Sequence, residues 1–259
     1  MPKLHGNVKQ KDKMTGTILI YGGAGGIGAA TARSLKSQQY HLHLVGRDES
    51  KLANLASELD AGMTVGDVLD DTLFARATEA AIVGNGGQLA GLIYAVGTIN
   101  LKPFARLNES EFIHDFRVNA LGAAKSVQAA QNALKAHEGT ASIVLFSTIA
   151  VTQGFTAHAS IAMAKGAIEG LTLSLAAELA PKVRVNAIAP SLTRTPLAKN
   201  LTSNEQMSAS IAALHPLQRL GEPEDVGNLA AFLISQQSGW ITGQVFGVDG
   251  GRSTLRTKG

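Results

Sequence analysis

The 259-residue chain has a formal net charge of +3, with 17% charged residues and no cysteine. This length suits a single α/β domain built around one sheet. Basic residues are scattered apart from four lysines between Lys3 and Lys13, which argues against nucleic acid as a partner. Without cysteine there can be no disulfide, thiolate catalysis or cysteine metal site, and we expect no metal and a cytoplasmic location.

Residues 1–15 and residues 16–259 differ in the distribution of their apolar residues. Residues 1–15 are polar and lack the apolar core of a signal peptide, which predicts a flexible lead-in. Residues 16–259 are predicted to form one dinucleotide-binding domain. No apolar run approaches the roughly 18 residues of a membrane span, so no membrane partner is expected.

The stretch from Thr17 to Leu35 has the order strand, glycine turn, helix. An apolar run enters the turn, glycines occupy positions 22, 23, 25, 26 and 28, and an alanine-rich run leaves it. Glycine permits positive φ and a close approach of the backbone to a ligand. The unpaired N–H groups at the helix start favour an anion such as a nucleotide pyrophosphate, although a purely structural tight turn is the alternative.

The second predicted strand, in residues 41–48, ends at Gly46 and is followed by Arg47. In a dinucleotide fold this position meets the adenosine ribose, where a basic side chain accommodates a 2′-phosphate. Arg47 therefore predicts NADP in preference to NAD, unless it is an ordinary solvated arginine. Asp48 could either pair with Arg47 or point away from it.

Strands and helices alternate along the rest of the chain. The strands are almost continuously apolar, which indicates a doubly wound parallel sheet covered on both faces. Asp67-Val68 follow a short strand, where an adenine could be held. The predicted later elements are helices at 49–59 and 71–82, a turn at 84–87, and strands at 89–97, 142–147, 183–190 and 244–250.

Two long helices are predicted, over residues 109–135 and 157–180. The second is rich in alanine and glycine, which would permit close helix contact and a homo-oligomer, with packing inside one subunit as the alternative. Residues 190–219 show little apolar periodicity and follow a strand end, which predicts a lid over a substrate.

With these segments in view, the sequence resembles the short-chain dehydrogenase/reductase family over residues 15–253. The matching pieces are Gly22, Gly26 and Gly28 in GGAGGIG, Asp67-Val68, Asn119 in RVNALG, Lys165, RVNAIAP with Thr195, and the tail from RLGEPEDVGNLAAFL to ITGQVFGVDGG. The resemblance implies a Rossmann fold, a nicotinamide cofactor, often a tetramer, and hydride transfer to or from a carbonyl or alcohol carbon of a small molecule.

The resemblance and the strand-end arginine together predict a set of cofactor-binding residues. These are Gly22, Gly26, Ile27, Gly28, Arg47, Asp67, Val68, Ala95, Gly97, Lys165, Pro190 and Thr195.

The sequence departs from the family pattern in the active site. The family has a Thr where Tyr21 stands, and Asn-Asn-Ala-Gly where this chain has Tyr94 to Gly97. Its active site uses Tyr-x-x-x-Lys with a Ser thirteen residues before the Tyr. Counting back from Lys165 gives Ile161 in place of the Tyr and Thr148 in place of the Ser.

These departures affect proton delivery. Reducing a carbonyl by hydride needs a proton for the developing alkoxide, which the family's phenol supplies because a neighbouring ammonium lowers its pKa. Isoleucine has no proton to give, and loss of a general acid costs a factor of roughly 10² to 10⁴. Thr148 can hydrogen-bond a carbonyl but is too weak an acid to replace the phenol alone.

His158 is the predicted substitute acid. It stands seven residues before Lys165, the spacing of the active-site Tyr in the related enoyl reductases, and positions 158, 161 and 165 share one helix face. The predicted catalytic residues are therefore Asn119, Thr148, His158 and Lys165. A histidine with no role is the alternative, and Tyr94 is a second possible phenol.

Two functions remain open at this stage. The first is an NADP-dependent oxidoreductase with a rebuilt proton donor, favoured by Asn119 and Lys165. The second is a nucleotide-binding protein without catalysis that acts as a sensor or partner subunit, favoured by Ile161. The substrate cannot be read from the residues of the lid.

Overall fold

The computed structural model describes residues 16–83 and 88–257. The predicted lead-in at 1–15 and the predicted turn at 84–87 lie outside the described residues. Seven strands are present in this part of the chain: β1 Thr17–Tyr21, β2 His41–Gly46, β3 Gly62–Val65, β4 Leu89–Tyr94, β5 Ala141–Phe146, β6 Val183–Pro190 and β7 Val245–Val248. All pair in parallel in the order β3-β2-β1-β4-β5-β6-β7.

Helices cover both faces of this sheet. Their bounds are α1 Gly26–Ser37, α2 Glu49–Leu59, α3 Leu73–Val83, α4 Glu109–Phe116, α5 Gly122–Lys135, α6 Ala159–Leu179, α7 Lys199–Thr202, α8 Glu205–Ala212 and α9 Pro223–Ile234. One core cluster lies between the sheet and α3, α5 and α6, and the other between the sheet and α1, α2 and α9. The predicted doubly wound sheet in a single domain is confirmed.

The strand β1 shows why the four residues from Ile18 to Tyr21 are all apolar or aromatic. Ile18 and Ile20 point into the cluster under α1 and α9, and Leu19 and Tyr21 point into the cluster under α3 and α5. All four side chains are fully buried. Successive side chains of a strand point to opposite faces, so a strand covered on both faces reads as a continuous apolar run.

The predicted helix over 109–135 is divided by a π-helical turn, Arg117–Leu121, which joins α4 to α5. The buried Tyr94 hydroxyl donates to the Val118 carbonyl oxygen at 2.6 Å. A Cβ at Gly122 would lie only 2.0 Å from the Tyr94 hydroxyl oxygen. The large side chain at 94 therefore depends on a glycine at 122, and the π-turn supplies a carbonyl that its hydroxyl can reach.

The predicted lid at 190–219 contains more structure than its sequence suggested. It holds a 3₁₀ turn at Pro196–Ala198 and the helices α7 and α8. These helices have only four and eight residues, too few to establish a 3.6-residue period in the sequence. The predicted helix at 157–180 begins two residues later, at Ala159, and ends at Leu179.

Candidate active site

A cavity of about 320 Å³ opens at the carboxyl ends of β4, β5 and β6, beside the start of α6. This edge, where the strand order changes direction from β1 to β4, is where doubly wound sheets bind their ligands. Most of the lining is apolar. The predicted site residues Ile27, Ala95, Gly97, Thr148, His158, Lys165, Pro190 and Thr195 all line this cavity.

The glycine turn lies beside the cavity and leaves no room for side chains. Gly22 has a φ of +75°, and a Cβ at Gly28 would lie 2.1 Å from the Gly22 carbonyl oxygen. A Cβ at Gly26 would lie 2.7 Å from the Cγ2 atom of Thr195. These contacts hold the start of α1 against the glycine turn itself and against the loop after β6.

The first turn of α1 has free hydrogen-bond donors. Within residues 16–83 and 88–257, the amides of Gly26, Ile27 and Gly28 donate to no acceptor, whereas the next amide, that of Ala29, donates to the Gly25 carbonyl. Three free N–H groups at a helix start, next to a backbone without side chains, fit the pyrophosphate of a dinucleotide. The residues present therefore fit the predicted cofactor.

Arg47 and Asp67 lie together at the edge of the sheet, beyond the ends of β2 and β3. The Arg47 Nη1 atom is 3.3 Å from an Asp67 carboxylate oxygen, and 76% of the arginine side chain is exposed. Asp48 instead caps α2 by accepting from the Lys51 amide at 3.1 Å and pairs with the Lys51 ammonium at 2.7 Å. Asp48 thus points away from Arg47. The Val68 side chain packs in the core, which leaves only its backbone for a ligand.

Lys165 is a buried cation on α6. Its ammonium donates to the Phe146 carbonyl oxygen at the end of β5, at 2.8 Å, and burial lowers the pKa of Lys165 to about 8. The side chain therefore stays charged at neutral pH. Gly97 permits its approach, because a Cβ at 97 would lie 3.3 Å from the ammonium nitrogen and 3.0 Å from the Asn119 amide oxygen.

Ile161 and His158 lie beside Lys165 on the same wall of the cavity. His158 is the N-cap residue of α6, and its Nδ1 atom is 2.7 Å from the Thr156 carbonyl oxygen. A carbonyl oxygen only accepts, so in the neutral ring the hydrogen sits on Nδ1 and Nε2 is an acceptor. His158 can therefore release a proton from Nε2 only when the ring carries two protons.

Asn119 lies one layer behind the cavity wall. Its side-chain amide donates to the Thr98 hydroxyl at 2.9 Å and to the Asp115 carbonyl at 2.8 Å. The buried Asp115 carboxylate accepts from Thr98, Asn100 and Ser160 at 2.6, 3.2 and 2.5 Å. Because Thr98 lines the cavity and Ser160 is on α6, this network fixes the wall on which His158 and Lys165 lie. No local sequence pattern predicts this network, since Thr98, Asp115 and Ser160 lie in separate segments of the chain.

Tyr94 is not available as a proton donor. Its ring is buried between β4 and the α3 and α5 helices, 5.8 Å from the Tyr21 ring, and its hydroxyl is bonded to Val118. Burial raises the pKa of Tyr94 well above its usual range. The prediction of Tyr94 as a second possible phenol is wrong, because the alternation along β4 directs its side chain into the core.

The lid closes one side of the cavity. The His215 ring, just after α8, is bonded through Nε2 to the Ser191 hydroxyl at 2.8 Å and through Nδ1 to the Ile211 carbonyl at 2.9 Å. This buried histidine fastens the lid to the end of β6. The lid residues that line the cavity include Leu197, Ala198, Leu201 and Ile211.

Among the cavity residues that the sequence analysis did not single out are an aromatic and a charged side chain, Phe155 and Arg252. Phe155 precedes α6, and Arg252 follows β7, so neither belongs to a recognisable motif. The Arg252 guanidinium carbon lies 4.7 Å from the centre of the Phe155 ring.

Membrane-spanning helices and metal-binding clusters are both absent from residues 16–83 and 88–257. No helix there is long and apolar enough to cross a membrane. The same ranges hold no group of three histidine or acidic side chains placed to bind a metal ion.

Known proteins share both the sequence pattern and the fold. Residues 22–253 match the family model described as enoyl-(acyl carrier protein) reductase. A tropinone reductase homologue of Arabidopsis thaliana is 33% identical over 241 residues, which cover 91% of this chain and 78% of that protein. A short-chain type dehydrogenase/reductase from Mycobacterium ulcerans has a TM-score of 0.86 at 31% identity, covering 93% of this chain and 90% of that chain. The structure of ElxO with NADP bound has a TM-score of 0.85 at 27% identity, covering 93% and 100%.

A doubly wound sheet with a glycine turn and a cavity at its carboxyl edge is typical of a dinucleotide-binding protein. With these matches, the chain belongs to the short-chain dehydrogenase/reductase family. The family resemblance of the sequence is confirmed.

Lys165 should make the free energy of unfolding rise with pH in the alkaline range, and replacing it by Met should remove this rise. Burial lowers the pKa of Lys165 to about 8, below the ordinary 10.5. Between these values the unfolded chain binds more protons, so this residue makes the free energy of unfolding rise with pH, by about 3 kcal/mol over the whole interval. Urea unfolding of the wild type and the variant between about pH 8 and pH 10 measures the difference.

Replacing the exposed Lys199 by Met provides the control. That variant should keep the pH slope of the wild type. If Lys165→Met keeps it as well, the amine is not destabilised by burial.

Proposed function

We propose that this protein is an NADP-dependent oxidoreductase that transfers hydride to or from the carbonyl, alcohol or enoyl carbon of a small molecule, with a non-standard proton donor. The observation that carries the proposal is a single cavity, beside the glycine turn, that brings together the Lys165 ammonium, the Thr148 hydroxyl and the His158 imidazole. The family membership supports the reaction class. NADP as the cofactor and His158 as the proton donor are inferred from this chain's own residues and not from the family.

Each part of the dinucleotide has residues that would hold it. The free amides of the glycine turn would hold the pyrophosphate, and Arg47 the 2′-phosphate. Asp67 and the Val68 backbone would hold the adenine, and Lys165 the nicotinamide ribose. Ala95, Gly97, Pro190 and Thr195 would surround the nicotinamide, which supplies or accepts the hydride. ElxO, a structural neighbour whose structure is described as holding NADP, supports a dinucleotide with the 2′-phosphate.

Thr148 and His158 would manage the oxygen of the substrate. The Thr148 hydroxyl would donate to the carbonyl oxygen and orient it, and the doubly protonated His158 ring would give a proton from Nε2 to the developing alkoxide. Asn119 would not touch the substrate. Its hydrogen bonds to Thr98 and Asp115 would position the cavity wall on which the reacting groups lie. Ile161 contributes only apolar surface, at the place where the family carries its phenol.

Replacing Arg47 by Ala should weaken NADPH binding by about tenfold or more and leave NADH binding nearly unchanged. The reason is that a charge-assisted hydrogen bond to a phosphate is lost, and NADH lacks that phosphate. Fluorescence titration with both cofactors measures the change. Arg76, another arginine with an exposed side chain paired to an aspartate, provides the control variant Arg76→Ala. Equal losses for the two cofactors would refute the role of Arg47.

Replacing Ile161 by Tyr should raise the turnover of simple ketones, by about tenfold or more, with little change in NADPH affinity. The new phenol would lie one helical turn from Lys165, whose charge would lower its pKa and favour proton delivery. Ile161→Phe is the matched control, since it adds the ring without the hydroxyl. Steady-state turnover of all three proteins separates the effects.

His158→Ala tests the native donor in the same assay. Loss of activity is expected, since the ring that would donate the proton is gone. Unchanged activity would make His158 a bystander. If Ile161→Tyr gains nothing while NADPH still binds, the cleft is unsuited to hydride transfer.

Ile161 also keeps open a second function, that of an NADP(H)-binding sensor or partner subunit without catalysis. This reading rests on the absence of a phenol beside Lys165. NADPH oxidation against a panel of ketones, quinones and enoyl thioesters, with a binding titration in parallel, discriminates the two. Tight binding without turnover on any of them would favour the sensor.

We further propose a homo-oligomer, expected to be a tetramer, assembled through α4 and α6. The support is an exposed apolar face on these packed helices, formed by Ile113 and Phe116 of α4 and by Met163 and Leu173 of α6. Gly170 leaves this face open, because a Cβ there would meet nothing within 4 Å. A second copy of the chain could therefore approach closely. The cytoplasmic location stays a prediction.

Replacing Leu173 by Glu should dissociate the oligomer at micromolar concentration. The leucine is 58% exposed in a single chain, so in a monomer the change should cost less than about 0.5 kcal/mol of stability. At an interface it would bury a charge without a partner. Sedimentation velocity of the wild type and the variant measures the mass, and a wild-type monomer would remove the proposal.

A further inference from the structure

The cavity has an unbalanced charge. Among residues 16–83 and 88–257, its lining includes three basic side chains, those of His158, Lys165 and Arg252, and no aspartate or glutamate. Lys165 and His158 have roles in the proposed reaction. Arg252 has none, and it lies outside the set of residues that would hold the cofactor.

Arg252 is held in place by a rigid turn after β7. Gly250 and Gly251 have φ values of +60° and +85°. The Asp249 carboxylate accepts from the amides of Gly251 and Ser253 at 2.8 and 2.9 Å, and also from the Ser253 hydroxyl. Asp249 thus serves the turn. No salt bridge joins it to Arg252, although its negative charge lies close enough to favour the charged guanidinium.

The Arg252 guanidinium stacks on Phe155 but has no hydrogen-bond or ion-pair partner in residues 16–83 and 88–257. Arg184 shows the usual solution for a buried arginine, since its guanidinium donates to the carbonyls of residues 233, 235 and 241. Burial lowers the pKa of Arg252, because the charged guanidinium is partly removed from water. A half-buried guanidinium with free donors costs free energy unless a ligand pairs with it.

We propose that Arg252 binds a carboxylate of the substrate. The substrate is then a small carbonyl or alcohol compound with an apolar body and a carboxylate end. The planar guanidinium can donate two parallel hydrogen bonds to a carboxylate, and stacking on Phe155 fixes its plane in advance. The carbonyl or alcohol group of this substrate rests on the proposed function. Its carboxylate is inferred from Arg252 alone.

Paired substrates test the inference. Levulinate and methyl levulinate share the ketone and differ in the carboxylate. The wild type should prefer levulinate in kcat/KM, and Arg252→Gln should lower kcat/KM for levulinate at least tenfold more than for the ester, mainly through KM. Arg252→Lys keeps the charge but loses the planar pair of donors. Its kcat/KM for levulinate should therefore lie between those of the wild type and Arg252→Gln. Arg256→Gln, at an exposed arginine four residues on, should leave the preference intact.

A binding assay separates this inference from the proposed function. Calorimetric titration of hexanoate into the protein with NADP⁺ present needs no turnover. Hexanoate should bind the wild type at least tenfold more tightly than Arg252→Gln, and Phe155→Leu, which keeps the charge but removes the ring, should also bind it more weakly. Equal binding to wild type and Arg252→Gln would overturn the inference, even if NADPH binds.

Two other outcomes are also decisive. Tighter binding of hexyl phosphate than of hexanoate would overturn the carboxylate assignment. Hexanoate binding that depends on Arg252 in a protein that binds neither NADPH nor NADH would support the anion site and contradict the proposed function.

Discussion

The close packing of the glycine turn is the constraint on which the site depends. The absence of side chains at Gly22, Gly26 and Gly28 lets the start of α1 touch the end of β4 and the loop after β6 at once. Any Cβ at Gly28 would meet the Gly22 carbonyl. The same contacts leave the amides of the first helical turn pointing at a ligand position. One steric condition therefore places the anion-binding amides beside the cavity where Lys165, Thr148 and His158 meet.

Electrostatics give this cavity its second property. Lys165 is buried with a single carbonyl partner, His158 caps a helix whose start is fixed by the Asp115 network, and Arg252 is stacked on Phe155. Since no acidic side chain among the described residues lines the cavity, it would favour negative charge in a ligand. A hydride acceptor that develops an alkoxide is stabilised by the same field.

The sequence predicted the features that depend on local pattern. The strands, the helices bounded by clear periodicity and the glycine turn follow from residues close together in the chain, and the doubly wound sheet follows from their alternation. The features it missed depend on distant contacts. Arg252 reaches Phe155 across about a hundred residues of chain, and the Tyr94 hydroxyl needs a carbonyl from the π-turn. The Asp115 carboxylate accepts from donors in two other segments, the loop after β4 and the start of α6. No periodicity encodes such pairs.

The central claim is that NADP(H) binds with its nicotinamide in the cavity beside Lys165, although no phenol stands at position 161. A crystal structure of the protein with NADP⁺ tests this most directly. The account predicts the pyrophosphate on the amides of Gly26 to Gly28, the 2′-phosphate within hydrogen-bond distance of Arg47, about 2.7 to 3.2 Å, and the nicotinamide facing Thr148 and His158. A nicotinamide found outside the cavity, or a cavity that the lid closes to it, would contradict binding of the nicotinamide beside Lys165.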